Sequence, residues 1–225
     1  MFILAAKNNI IMYEAYLFDL NGTIIDDMQF HARAWHEILT KDLKFEITFD
    51  ETILQMYGKN SELLERVFGK GYFTQQRMDE LSMEKELRYQ AAFKPHLKLI
   101  DGLGQFLDKA HQKGIKMAIG SAAIPFNIDF VLDNLNIRKY FPVIVSAEDV
   151  ILSKPHPETF TKGAELLNVE YAKCLVFEDA PKGIEAAQNA GMQSIALTTL
   201  HQPEDFVQYP NILKFITDYQ ALDLL

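Results

Sequence analysis

Apolar and polar positions along the chain fall into two alternating textures. Short β-branched or apolar runs, each bounded by turn residues, occur at "EAYLFDL", "KMAIGS", "PVIVSA", "CLVFED", "SIALT" and "ILKFIT". Runs of that length and composition predict strands. Between them stand "LGQFLDKAHQKG", "NIDFVLDNLNI", "PETFTKGAELLN" and "GIEAAQNAG", with the spacing of amphipathic helices. Gly114 and Gly191 follow two of these helical patterns, where a glycine commonly ends a helix. Strand–helix alternation predicts an α/β fold: a Rossmann-like parallel sheet with helices on both faces.

One region breaks the rhythm. From about His31 to Pro95 the sequence offers only helical stretches, "HARAWHEILTKDL", "ETILQMYG", "SELLERVFG" and "MDELSMEKELRYQAAF". That pattern predicts an all-helical cap of four helices over residues 28–95, inserted into a core formed by residues 13–27 and 96–225. Hinges are expected near Asp27–Phe30 and Pro95–His96.

Composition narrows the functions. The 225 residues suffice for one large domain, or for a core with a smaller insertion. A formal net charge of −9 argues against a nucleic-acid or anionic-membrane surface, so an anionic substrate would need local cations or a metal. The single cysteine, Cys174, rules out an intramolecular disulfide and suits a reducing compartment. Its setting, "KCLVFED", suggests a small buried side chain. No apolar run approaches the roughly 18–20 residues that span a bilayer. The start, "MFILAAKNNI", has a short apolar patch with nothing basic ahead of it, unlike a signal peptide. Met12, directly ahead of the first strand, offers an alternative start; a short N-terminal arm is the other reading. The expectation is a cytoplasmic protein, monomeric or weakly self-associating.

In open α/β sheets, ligands bind beyond the carboxyl ends of the strands, and the notable polar residues fall there. Asp19 ends the first strand, Ser121 ends "KMAIG", Glu178 and Asp179 end "CLVF", and Lys154 follows "VIVSAEDVIL". Clustered carboxylates repel one another and call for a cation, and oxygen ligands suit Mg²⁺. Metal, ammonium and hydroxyl together would neutralise a phosphoryl group. The turn Leu20-Asn21-Gly22-Thr23 is placed to aim backbone N–H groups at phosphate oxygens, with Gly22 allowing the bend. Asp19 would then attack in line and form an aspartyl-phosphate. His31 and His36 are five residues apart and do not share a helix face as a zinc pair would. No GKS/T phosphate loop is present.

These segments resemble the four motifs of the haloacid dehalogenase (HAD) superfamily: "FDLNGT", Ser121 in "AIGSAA", Lys154 in "LSKPHPETF", and "VFEDAPKGIEAAQNAG". The resemblance runs from Tyr13 through essentially the whole chain. It is greatest for the β-phosphoglucomutase and sugar-phosphatase branch, which the helix "DDMQFHARAW", with His31 and Trp35, also resembles. The resemblance implies Asp19 as nucleophile and metal ligand, Asp179 as second ligand, and Glu178 supporting the metal shell. It further implies that Asn21 gives its backbone carbonyl to Mg²⁺, and that Ser121 and Lys154, beside Ala122, hold the phosphate. Lys85 matches a cap position that contacts a substrate phosphate in the mutases. Their cap arginine after the "YG" turn is not matched: "YGKNSEL" offers Lys59 and Asn60.

Asn21 is the departure from the pattern, because the family normally places there an aspartate that serves as acid and base. An amide hydrogen-bonds but does not exchange a proton near neutral pH. Losing such a group costs about 10²–10⁴ in rate, or roughly 3–5 kcal/mol of barrier. Four accounts fit: a substrate with a good leaving group, a substitute acid such as His31 or Asp27, a long-lived phospho-aspartate, or an introduced substitution. The leading expectation is a Mg²⁺-dependent phosphatase or phosphohexomutase for a small phosphorylated metabolite, a sugar phosphate first. One alternative is a phosphonatase-like carbon–phosphorus hydrolase with Lys59 as its Schiff-base amine. Another is a non-catalytic phosphometabolite-binding protein.

Overall fold

The computed structural model describes residues 12–224; the segment ahead of Met12 lies outside them. Six strands form one sheet in the order β3-β2-β1-β4-β5-β6, every neighbouring pair parallel. They are β1 (Ala15–Phe18), β2 (Lys116–Gly120), β3 (Val143–Val145), β4 (Cys174–Glu178), β5 (Gln193–Leu197) and β6 (Ile212–Ile216). Five lie within the runs that the apolar pattern marks out, and β5 begins at Gln193, one residue ahead of "SIALT".

Side-chain alternation along β1 explains why helices cover both faces. Tyr16 and Phe18 point to a face covered by α5 (Leu103–Gln112) and α6 (Pro125–Asn134). That face is aromatic: Phe18 stacks on Phe177 at 4.5 Å and Tyr16 on Phe106 at 5.6 Å. Ala15 and Leu17 point the other way, with Ala118, toward α7 (Glu158–Leu167) and α8 (Pro181–Asn189). Buried Cys174 packs on this second face, and burial pushes its thiol up to about 11, so it stays protonated.

Between β1 and α5 the chain is helical: α1 (Met28–Glu37), α2 (Phe49–Ile53), α3 (Asn60–Phe68) and α4 (Gln75–Phe93). A π-helical turn, Ile38–Asp42, prolongs α1. These helices have their own apolar core of Trp35, Ile38, Leu63, Leu64, Met78 and Leu81. The sequence order changes direction at β1, which pairs with β2 on one side and β4 on the other. Strand-order reversal opens a crevice at the carboxyl end of such a strand, and Asp19 sits there.

Candidate active site

Asp19 follows β1 directly, and its backbone N–H donates to the Phe177 carbonyl, extending the ladder and fixing the carboxylate. Lys154 Nζ bridges the cluster, 2.6 Å from Asp19 Oδ1 and 2.8 Å from Glu178 Oε1. Glu178 is steadied further by the Ala180 N–H, which donates to Oε2 at 2.6 Å. Asp179 packs against the β1 turn: a Cβ on Gly22 would lie 2.1 Å from its Oδ2. Ser121 closes β2, its N–H bound to the Val145 carbonyl and its Oγ accepting the Ala123 N–H.

All these groups are buried, and one ammonium serves three carboxylates. Burial first, then the like charge of Glu178, pushes Asp19 up to about 7 despite Lys154. Burial, Glu178 and Asp19 hold Asp179 well above the usual carboxylate range. Burial works against the Lys154 charge, but Asp19 and Glu178 outweigh it and raise its pKa. The cluster is short of positive charge, which is the electrostatic condition for a bound cation. Among the described residues no three acidic, histidine or cysteine side chains form a preorganised metal group.

A second network hangs above Asn21. Its Nδ2 donates to Asp27 Oδ2 at 2.7 Å and lies 3.0 Å from His31 Nε2. Tyr89 also donates to Asp27 Oδ2, at 2.5 Å, and stacks on His31 with ring centroids 3.6 Å apart. Lys85 Nζ is 2.6 Å from His31 Nδ1 and donates to Glu86 at 3.0 Å. Glu86 in turn accepts from Asn60 on α3 and from Asn127 on α6, at 2.7 and 2.6 Å. Burial opposes the Glu86 charge, yet Lys85 first, then His31 and the Asn60 and Asn127 amides, pull it down to about 2. Burial lowers Lys85 below the usual lysine range, with Glu86 pulling the other way.

One cavity of about 130 Å³ brings the two networks together. Of the residues singled out in the sequence, Asp19, Asn21, His31, Lys59, Lys85, Ser121, Ala122, Lys154, Glu178 and Asp179 line it. Leu20, Gly22 and Thr23 do not. Leu20 belongs to the aromatic core, the Gly22 N–H is committed to the Ile25 carbonyl at 2.7 Å, and Thr23 is fully buried. The Gly22 N–H is thus turned inward, whereas the Leu20 N–H donates to the Asp19 carboxylate at the cavity floor. Lys59 Nζ donates to the Val150 carbonyl across the cavity mouth at 2.8 Å.

The motif pattern points to Asn60 only as a stand-in for the mutase cap arginine, and to Glu86 and Asn127 not at all. A signal existed for Glu86: Met78, Leu81, Lys85, Glu86, Tyr89 and Phe93 form one buried stripe on α4. Two charges at positions the helical period assigns to the core mark a buried polar network.

A haloacid dehalogenase-like hydrolase family model matches residues 16–197. A fructose-1-phosphate phosphatase of Escherichia coli (strain K12) is 30% identical over 195 residues, covering 84% of this chain and 100% of that protein. A β-phosphoglucomutase of Bacillus subtilis (strain 168) is 30% identical over 189 residues, covering 82% and 83%. The crystal structure of a HAD hydrolase, family IA, variant 3, from Entamoeba histolytica superposes with a TM-score of 0.84 at 25% identity, over 94% and 96% of the two chains. Fold, motif order and relatives agree, and the chain belongs to the haloacid dehalogenase-like hydrolase family.

Proposed function

We propose that this chain is a Mg²⁺-dependent phosphatase acting on a small monophosphorylated metabolite, with a sugar phosphate the first candidate. The observation that carries the reading is Lys154 Nζ held between Asp19 and Glu178 at the floor of a cavity capped by helices. Asp19 attacks phosphorus, the bond to the substrate oxygen breaks, and the departing alkoxide takes a proton from solvent water, the Asn21 amide having none to give. Water then attacks the aspartyl-phosphate, releasing inorganic phosphate and restoring the carboxylate. Lys154 and Ser121 hold the transferring phosphoryl oxygens. Asp19, Asp179 and the Asn21 backbone carbonyl would hold Mg²⁺, with Glu178 supporting them; the ion would offset the charge that raises both aspartates.

Pocket cations favour hydrolysis over mutase chemistry. A mutase must bind a second phosphate, which calls for an unclaimed cation. Lys154 serves the transferring phosphate; of the other lysines lining the cavity, Lys59 is held by the Val150 carbonyl, Lys85 by Glu86 and Lys182 by Glu185. The phosphonatase alternative meets a similar obstacle, because its Schiff-base amine would be Lys59, which ties the helical insertion to the core.

The test is phosphate release from an aryl phosphate and a panel of sugar monophosphates, with and without Mg²⁺, for the native chain and Asp19→Asn. Metal-dependent release that falls at least a hundredfold in Asp19→Asn is expected. Release that persists in that variant would overturn the assignment of the nucleophile. Metabolite-induced stabilisation with no turnover would instead favour the binding-protein alternative.

A further inference from the structure

We propose that Asp27 is the positioning residue for Asn21, and that the two form a matched carboxylate–amide pair in which an aspartate at position 21 is accommodated only when the charge at 27 is removed. The activity arm of this inference rests on the phosphatase reading; its stability arm does not.

Asp27 precedes α1 and is fully buried. Its Oδ2 accepts from Asn21 Nδ2 at 2.7 Å and from Tyr89 Oη at 2.5 Å, with His31 Nε2 at 3.2 Å. Lys85 Nζ lies 2.6 Å from His31 Nδ1 on the far side of the ring, so the ring spans from the Asp27 carboxylate to Lys85. Among the described residues no lysine or arginine contacts this carboxylate, and its Oδ1 is buried without a partner. The contact with the Asp27 carboxylate also orients the Asn21 amide. The atom 2.7 Å from a carboxylate oxygen is the NH₂, so the carbonyl Oδ1 is the group left for the reacting centre. Asn21 therefore enters the site as an oriented acceptor, able to receive a hydrogen bond from the attacking water.

The same contact explains why an aspartate does not suit this position. A carboxylate at 21 would meet Asp27 Oδ2 at about the present 2.7 Å, with Asp19 and Asp179 close by in the same cavity. The negative charge of Asp27 already contributes to raising both Asp179 and its neighbour Asp26. Moving the amide to position 27 and the carboxylate to position 21 exchanges donor and acceptor across one hydrogen bond and leaves the local charge unchanged.

Four proteins decide the matter: native, Asn21→Asp, Asp27→Asn and the double variant Asn21→Asp/Asp27→Asn. Thermal midpoints are measured without metal at neutral pH, and aryl phosphate turnover is measured in excess Mg²⁺. Asn21→Asp alone should lower the midpoint by about 5 °C or more, or yield no folded protein. In the Asp27→Asn background the same change should lower it by no more than about 2 °C. The double variant should also turn over at least tenfold faster than the native chain, on the scale of one acid–base group. Equal midpoint changes in the two backgrounds, or a double variant that fails to fold, would overturn the pairing whatever the activities. Coupled midpoints with no turnover in any variant, native included, would uphold the pairing and remove the phosphatase reading.

Discussion

Gly22 joins backbone geometry to the acidic cluster. Its φ of +75° lies in the left-handed region, where a residue bearing Cβ is strained by roughly 1–2 kcal/mol. The added carbon would also lie 2.1 Å from Asp179 Oδ2. Gly22→Ala should therefore displace Asp179, reduce turnover at least tenfold and weaken the response to Mg²⁺. Unchanged kinetics would show that Asp179 has no fixed role. Glu86 illustrates a different balance, because its carboxylate is buried yet favoured as the anion by Lys85, His31, Asn60 and Asn127. Its pKa falls from the ordinary 4.5 to about 2 on folding, so its contribution is fully present above pH 4.5 and is lost as pH falls through 2. At about 1.4 kcal/mol per unit this is about 3 kcal/mol. Glu86→Gln should lower the denaturant midpoint clearly at pH 7 and much less near pH 2.5. An equal loss at both would mean that Glu86 acts through packing alone.

At the scale of elements, the sheet was legible because its signal is local. Each strand is a short apolar run with turn residues at both ends, and β1 needs only four residues to satisfy both faces. Asp19, Ser121, Lys154, Glu178 and Asp179 were legible for a related reason: strand ends in a parallel sheet face one crevice, so position along the chain implies position in space. The α4 network was not, because its partners converge from separate elements. Asn60 begins α3, Glu86 lies in the middle of α4 and Asn127 lies in the first turn of α6. No spacing rule relates them; only the helical packing does. The turn after β1 misled for the opposite reason. A Gly-Thr turn at a phosphate site suggests N–H groups facing the ligand, but the Ile25 carbonyl accepts the Gly22 N–H, so within the turn it is the Leu20 N–H that reaches the Asp19 carboxylate.

For the molecule as a whole, the loop carrying Lys154 is held from both sides of the cavity. From the core side, Glu158 accepts the N–H groups of Ile151 and Leu152 at 3.1 and 3.0 Å. From the helical insertion, Lys59 reaches the Val150 carbonyl, and Glu62 accepts the Ser153 hydroxyl at 2.8 Å. Ser153 is the immediate neighbour of Lys154, so the contact that joins insertion to core also sets the register of the lysine at the reacting centre. Under the proposed phosphatase function, closure over a substrate and alignment of Lys154 would become one event, restricting phosphoryl transfer to the closed, water-poor arrangement. Ser153→Ala removes one hydroxyl and leaves Glu62 free to keep its other contact, the Lys59 N–H at 2.9 Å. A hydrogen bond to a charged acceptor contributes about 1.5–3 kcal/mol, and a tenfold rate change corresponds to about 1.4 kcal/mol. The expected result is a roughly tenfold fall in kcat with KM for an aryl phosphate nearly unchanged, and recovery in Ser153→Thr. A fall in KM-dependent binding alone, or no change in kcat, would mean that the insertion selects substrate without helping to place the lysine.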